Sequence, residues 1–192
     1  MMLTSLQFVT CFPAGFSTRD NCGKPLASIH KPVPGYKAKL EKSMDRYFAK
    51  MEVGQAVKRA NWSISTDEEL FSESGNHFYT DEEHDAPTPA ESTGEAKAVN
   101  LDDDIERQAR DVVIEDCRLR CERQTLHRLP NTKALIFGVK TYTYHLSELK
   151  AEGLGHDLAT AIDGLALGSI PAIDFYKRRP VWGSKVQEYL LS

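Results

Sequence analysis

The sequence predicts an α+β fold: an antiparallel sheet with flanking helices and a helical segment at the C-terminus. Three observations carry this reading. Arg118 to Leu129 and Ala134 to Tyr144 are two strand-like runs joined by Pro130-Asn131, which is how an antiparallel hairpin reads in sequence. Leu40, Met44, Tyr47, Phe48 and Met51 recur at helical spacing, while Lys37, Lys39, Glu41, Lys42, Asp45, Arg46 and Lys50 occupy the other face. After the hairpin, Leu146–Lys150, Leu154–Leu167 and Val181–Leu191 read as successive helices, the last started by Gly183 or Ser184. Helices segregated from an antiparallel sheet define the α+β class.

Taken in order, Ser5–Phe12 reads as a short, largely buried strand ended by Pro13-Ala14-Gly15. The turn-rich Asn21–Leu26 follows. In Ile29-His30-Lys31-Pro32-Val33-Pro34-Gly35 two prolines forbid a regular helix or a central strand. Such a restricted backbone costs little entropy to fix, so it suits a loop that holds a side chain in place. Tyr36–Met51 is the amphipathic helix, expected to lie on a core and closed by Gly54; Val57–Ser65 is the next strand. Residues 66–104 combine acidic groups, Pro87, Pro89 and a Ser/Thr/Gly-rich stretch with few apolar side chains, and read as a disordered insertion. Order is expected to resume over Ile105–Cys117, with Asp102–Asp104 capping a helix start. The chain thus reads as one domain in two parts, 1–65 and 105–192, around the insertion 66–104.

The net charge sharpens this division. The 192 residues carry 24 basic and 28 acidic groups, a net of −4. Residues 66–116 hold 17 acidic residues against Lys97, Arg107 and Arg110, a local net of −14, which leaves +10 on the remainder. Nucleic acid is not an expected partner, because the basic residues are dispersed rather than gathered in a run with interleaved aromatics. No membrane segment is expected: the longest clean apolar run, Leu135–Val139, is far below the roughly 20 residues a spanning helix needs. Met1–Phe16 lacks the basic start of a secretory signal. Cys11, Cys22, Cys117 and Cys121 fit no standard zinc spacing and read as free thiols of a reducing, cytoplasmic compartment.

The sequence contains no phosphate-cradling glycine loop, nucleophile elbow or HExxH. His30 stands in the proline-restricted loop, where an imidazole can ligate a metal or haem or act as a base; by its chemistry alone it also reads as a surface histidine with one hydrogen bond. On a strand, Glu122, Gln124 and Leu126 share one face and Arg123, Thr125 and His127 the other. Glu122 could bind a cationic amine through a charge-assisted hydrogen bond if that face is concave, or simply meet solvent and cross-strand ions. Trp62 with Asn61, and Tyr142 with Tyr144, read as packing, while His77 and His84 are expected to titrate in solvent.

In sequence order, Phe12-Pro13, Gly23-Lys24-Pro25-Leu26, Ile29–Gly35, Arg59-Ala60-Asn61-Trp62, Arg120–Pro130, the Thr141-Tyr142 pair and Tyr176-Lys177 resemble the haem-dependent oxidative N-demethylase family, catalytic alpha subunit. The resemblance implies a PAS-like antiparallel sheet that holds haem (iron) and oxidises an N-methyl group of a small secondary amine such as dimethylamine with O2. The product carbinolamine then falls apart to a primary amine and formaldehyde, and electrons come from a separate NAD(P)H- and flavin-dependent reductase. It further implies His30 as the haem-iron ligand, Glu122 as the group holding the substrate ammonium, and Arg123 and Arg128 as partners of the haem propionates. Against that family pattern the chain is expected to be short at its N-terminus. A PAS-like haem-binding sensor or interaction module without turnover is the alternative.

Overall fold

A computed structural model describes residues 7–15, 17–79 and 101–192. Its element order is α1 (Thr18–Asn21), α2 (Leu26–His30), a π-helical turn (Tyr36–Leu40) leading into α3 (Glu41–Lys50), β1 (Ala56–Ser65), α4 (Leu101–Asp111), a 3-10 turn (Ile114–Asp116), β2 (Arg118–Arg128), β3 (Leu135–His145), α5 (Leu146–Ala151), α6 (Gly155–Leu167), α7 (Ala172–Tyr176) and α8 (Arg179–Leu191). The three strands form one antiparallel sheet in the order β1-β2-β3. The fold is α+β, as the hairpin and helical patterns predict.

Pleating separates two faces of the sheet. Trp62, Ile64 and Leu119 point to one side and pack on a core built largely by α5, α6 and α8, in which Trp182, Ile162, Val186 and Leu146 are almost fully buried. The Trp182 indole N–H donates to the Lys177 carbonyl at 2.9 Å, so the largest buried ring also fixes the turn between α7 and α8. The other face carries Arg59 and Asn61 of β1, Glu122, Gln124 and Leu126 of β2, and Phe137, Val139 and Thr141 of β3.

Several elements depart from the sequence expectations. The described part of the predicted first strand, Gln7–Phe12, is not in a strand, and Val9 is 89% exposed. It finds no neighbouring strand to pair with; the N-terminal segment is tied instead by the Phe12 carbonyl, which accepts from Arg120 at 2.9 Å, and by a parallel bridge between Ala14 and Ser72. Helix α3 exists where the apolar periodicity places it, yet none of its residues is buried. The core contacts come from its flanks, Tyr36 and Met51, because the helix is fixed to the sheet from its C-terminal end by Arg128. Gly35 starts this unit with φ at 72°, where a Cβ would stand 2.7 Å from Ile170 Cδ1, so the position demands glycine on both counts.

The helix expected from Ile105 begins earlier, at Leu101, with Asp102, Asp103 and Asp104 in its first turn, where their charges favour the helix dipole. Of the predicted insertion, residues 66–79 run as bends and irregular backbone with one bridge at Ser72, and 80–100, including His84, lie outside the described residues. His77 contradicts the expectation of a solvent histidine. It stacks on Tyr176 with ring centroids 4.3 Å apart, and burial, aided by Lys177 and Arg178, lowers its pKa to about 4. Its neighbours Phe78 and Tyr79 pack on Phe175 and Tyr176 in the same way, an aromatic contact that local polarity conceals.

Candidate functional site

The site is built on the sheet face that the C-terminal helices leave uncovered. The β1–β2 register sets Asn61 opposite Glu122 and Arg59 opposite Gln124. Glu122 Oε2 accepts from Gln124 Nε2 at 3.0 Å and from Asn61 Nδ2 at 3.3 Å. Gln124 Oε1 in turn accepts from Arg59 Nε, and Asn61 Oδ1 accepts from Lys177 Nζ at 3.2 Å. A carboxylate only accepts, and lysine and arginine only donate, so both amide orientations follow from their partners. Two amide dipoles therefore relay two cations onto one oxygen of Glu122. Among the described residues its second oxygen, Oε1, has no hydrogen bond and remains open to an incoming N–H.

Lys177 closes this network from the edge of β1. Its ammonium lies 5.0 Å from the centroid of the Trp62 ring and also donates to the Trp62 carbonyl. Burial lowers its pKa from 10.5 to about 8, while the Glu122 charge acts in the opposite sense.

His30 ends α2, where the chain can no longer continue as a helix because Pro32 follows. Its Nδ1 lies 3.0 Å from the Leu26 carbonyl. A carbonyl cannot donate, so the proton resides on Nδ1 and the Nε2 lone pair is left for a metal. Burial lowers the His30 pKa, opposed by the Leu26 hydrogen bond and reinforced by the charge of Arg59, which favours the neutral, ligating imidazole. Tyr36 stacks on the ring at 5.0 Å, and its hydroxyl is buried without a hydrogen-bond partner among the described residues. Arg59, which donates to Gln124 in the Glu122 network, is also the charge that acts on His30.

The predicted residues separate. Glu122 sits in the amide network, and His30 is related to it only by the charge of Arg59, which hydrogen-bonds Gln124. Arg123 is exposed and projects from the opposite face of β2. Arg128 shares the Glu122 face, but its guanidinium donates to the carbonyls of Met51 (2.8 Å), Lys133 (2.5 Å) and Phe48. Arg59, Asn61, Lys177 and Tyr36 are the site residues that sequence reasoning passed over. The alternation of Arg59 and Asn61 was visible, but only the register with β2 reveals their partners.

The structure thus combines a carboxylate fixed by two amides with a histidine whose Nδ1 faces a carbonyl, on an α+β scaffold with exposed apolar side chains on one sheet face. The sequence matches the family described as haem-dependent oxidative N-demethylase, alpha subunit-like, over residues 3–187, and the chain belongs to that family. Among the described residues, no helix is long and apolar enough to cross a membrane.

The residues present fit haem. His30 offers a neutral imidazole with a fixed tautomer, and the buried Tyr36 hydroxyl beside it lacks a partner. Phe137 and Val139, 58% and 49% exposed on the face that carries Glu122, supply uncovered apolar surface of the kind a porphyrin covers.

Proposed function

We propose that the chain catalyses oxidative N-demethylation of a small secondary amine of the dimethylamine type, with His30 holding the haem iron and Glu122 the substrate ammonium. The observation that carries the reading is Glu122 itself: Oε2 is held by two oriented amides, which leaves Oε1 free to accept from a substrate N–H. Asn61 and Gln124 keep the carboxylate from turning, and Arg59 and Lys177 keep the amides from flipping. Secondary amines carry two N–H bonds when protonated, so one can engage Oε1 while a methyl group is directed elsewhere. Bound haem supplies the iron centre for O2 reduction and oxidation of the N-methyl carbon. For dimethylamine the balance is one amine, one O2, two electrons and two protons giving methylamine, formaldehyde and water. The electron pair comes from a separate NAD(P)H- and flavin-dependent reductase.

The test begins with haem titration followed by its Soret absorbance. The wild-type chain is expected to take up haem, and His30→Ala to lose the ligand-dependent spectrum. Formaldehyde release from dimethylamine with a reductant then tests the substrate class, with Glu122→Gln expected to raise KM. Absence of haem uptake by the wild type refutes the proposal. Haem uptake without turnover of any methylamine supports a non-catalytic haem sensor instead.

A further inference from the structure

The three strands contain one carboxylate, Glu122, and it lies on the face of the candidate site. The opposite face is cationic. Its register sets Ala60, Arg123 and Lys140 in one row across the sheet, and Lys58, Thr125 and Gly138 in the next. Each strand thus contributes one cation, and all three cations are exposed. Arg123 belongs to the central strand, so its exposure shows that nothing covers the middle of this face. Arg123 and Lys140 stand directly opposite each other, a placement in which like charges repel. Among the described residues none of the three makes a hydrogen bond or an ion pair, and Lys140 only rests 5.1 Å from the centroid of the Tyr142 ring. The side chains between them, Ala60, Thr125 and Gly138, are small, so the surface is flat and the sheet can be approached closely.

We propose that this face docks the acidic surface of a partner protein, with Lys58, Arg123 and Lys140 meeting its carboxylates. A second copy of the same face would set cations against cations, so the charge disfavours self-pairing. A small anion needs a concave site, and this surface is flat. Single-stranded nucleic acid binds by stacking bases on free aromatic faces as well as by charge. The rings at the border of the patch each carry a lysine instead, Lys140 over Tyr142 and Lys177 over Trp62. A duplex would call for a longer run of phosphate contacts than three side chains supply. Carboxylates on a protein surface suit the arrangement, since exposed cations of this kind steer encounter and set orientation. Their arrival also relieves the repulsion between Arg123 and Lys140.

The experiment follows binding of the full chain to a fluorescein-labelled oligoglutamate peptide by anisotropy, beside labelled oligothymidylate of equal charge. Wild type should bind the peptide at low ionic strength, release it as salt rises, and prefer it to the oligothymidylate. Joint Lys58→Gln, Arg123→Gln and Lys140→Gln should weaken peptide binding by about tenfold, the scale of three surface ion pairs. Joint Lys37→Gln, Lys42→Gln and Lys50→Gln removes the same charge from exposed positions in and just before α3 and should change the affinity by less than about twofold. The sheet variant should keep its urea midpoint, because it loses no contact and gains relief from repulsion. Equal affinity of wild type and the sheet variant overturns the docking surface, as does an equal loss in the α3 variant, which would reduce the attraction to net charge. A lower urea midpoint of the sheet variant overturns it in favour of a structural role for the cations. Tighter binding of oligothymidylate overturns the acidic partner in favour of nucleic acid, and a wild type that binds neither probe overturns the surface altogether.

Discussion

Replacing Arg128 by Lys distinguishes a side chain that acts through its charge from one that acts through its fork. The Arg128 guanidinium reaches the carbonyls of Phe48 and Met51 at the C-terminal end of α3 and that of Lys133 in the hairpin turn. Three carbonyls in two backbone segments thereby depend on one planar group, and α3 has no buried residue of its own to hold it in place. At about 1 kcal/mol net for each of the two half-buried hydrogen bonds and about 0.5 kcal/mol for the exposed one to Lys133, Arg128→Ala should cost about 2.5 kcal/mol. Lysine can satisfy one carbonyl at a time, so Arg128→Lys should still cost about 2 kcal/mol despite keeping the charge. With a urea slope of about 2 kcal/mol/M the midpoint should fall by about 1 M for the lysine variant. Amide exchange at Tyr47–Lys50 should accelerate more than exchange in α6 or α8, because local release of the helix end is the mode of failure. A lysine variant with wild-type stability and unchanged exchange in α3 would refute the clamp.

Two titrations and one core substitution follow from the same geometry. His77 has its pKa lowered from 6.5 to about 4, so between those values the unfolded chain binds the extra proton; stability should fall by about 3 kcal/mol as pH drops through that window, and His77→Phe should flatten the loss in urea midpoints. Lys177, lowered from 10.5 to about 8, is also protonated more fully when unfolded, so its contribution to stability should rise with pH above about 8. Cys117, raised from 9.0 to about 11, works in the opposite sense, so the comparison is wild type against Lys177→Met at pH 8 and 9, where the variant should lack the rise. Trp182→Phe should cost about 2 kcal/mol by leaving the Lys177 carbonyl without its donor, measured as a lower midpoint with an unchanged urea slope.

Most of the architecture was legible because it rests on local periodicity. The β2–β3 hairpin, the α3 stripe and the helices after His145 each repeat at the spacing their backbone requires, and each occurs within a residue or a few of its expected position. The failures are tertiary. Ser5–Phe12 has strand composition, but a strand is defined by a partner, and none pairs with its described residues. His77 stands in an acidic stretch, and although Phe78 and Tyr79 follow it, nothing within a few positions announces Tyr176, about a hundred residues away, as the ring on which it stacks. The short α7 between Pro171 and Lys177 has no period to read, since five residues make barely more than one turn.

The site shows the same division more sharply. The alternation of β2 placed Glu122 and Gln124 side by side and Arg123 opposite them, and the structure keeps both relations. What alternation along one strand cannot give is the register with the next. A slip of one residue would set Ala60 or Trp62 opposite Glu122, turn Arg59 and Asn61 to the other face, and leave the carboxylate without its second amide. The register in turn is pinned by burial at the far end, where Ile64 and Leu119 must both enter the core beside Trp182. Polar geometry at the site is therefore enforced by apolar packing about three residues away, along a strand whose side chains alternate strictly between the two environments. A substitution that loosens Ile64, such as Ile64→Ala, should weaken amine binding at Glu122 although it touches no site residue. If its KM matched the wild type while stability fell, register would be fixed elsewhere and the coupling between core and site would be wrong.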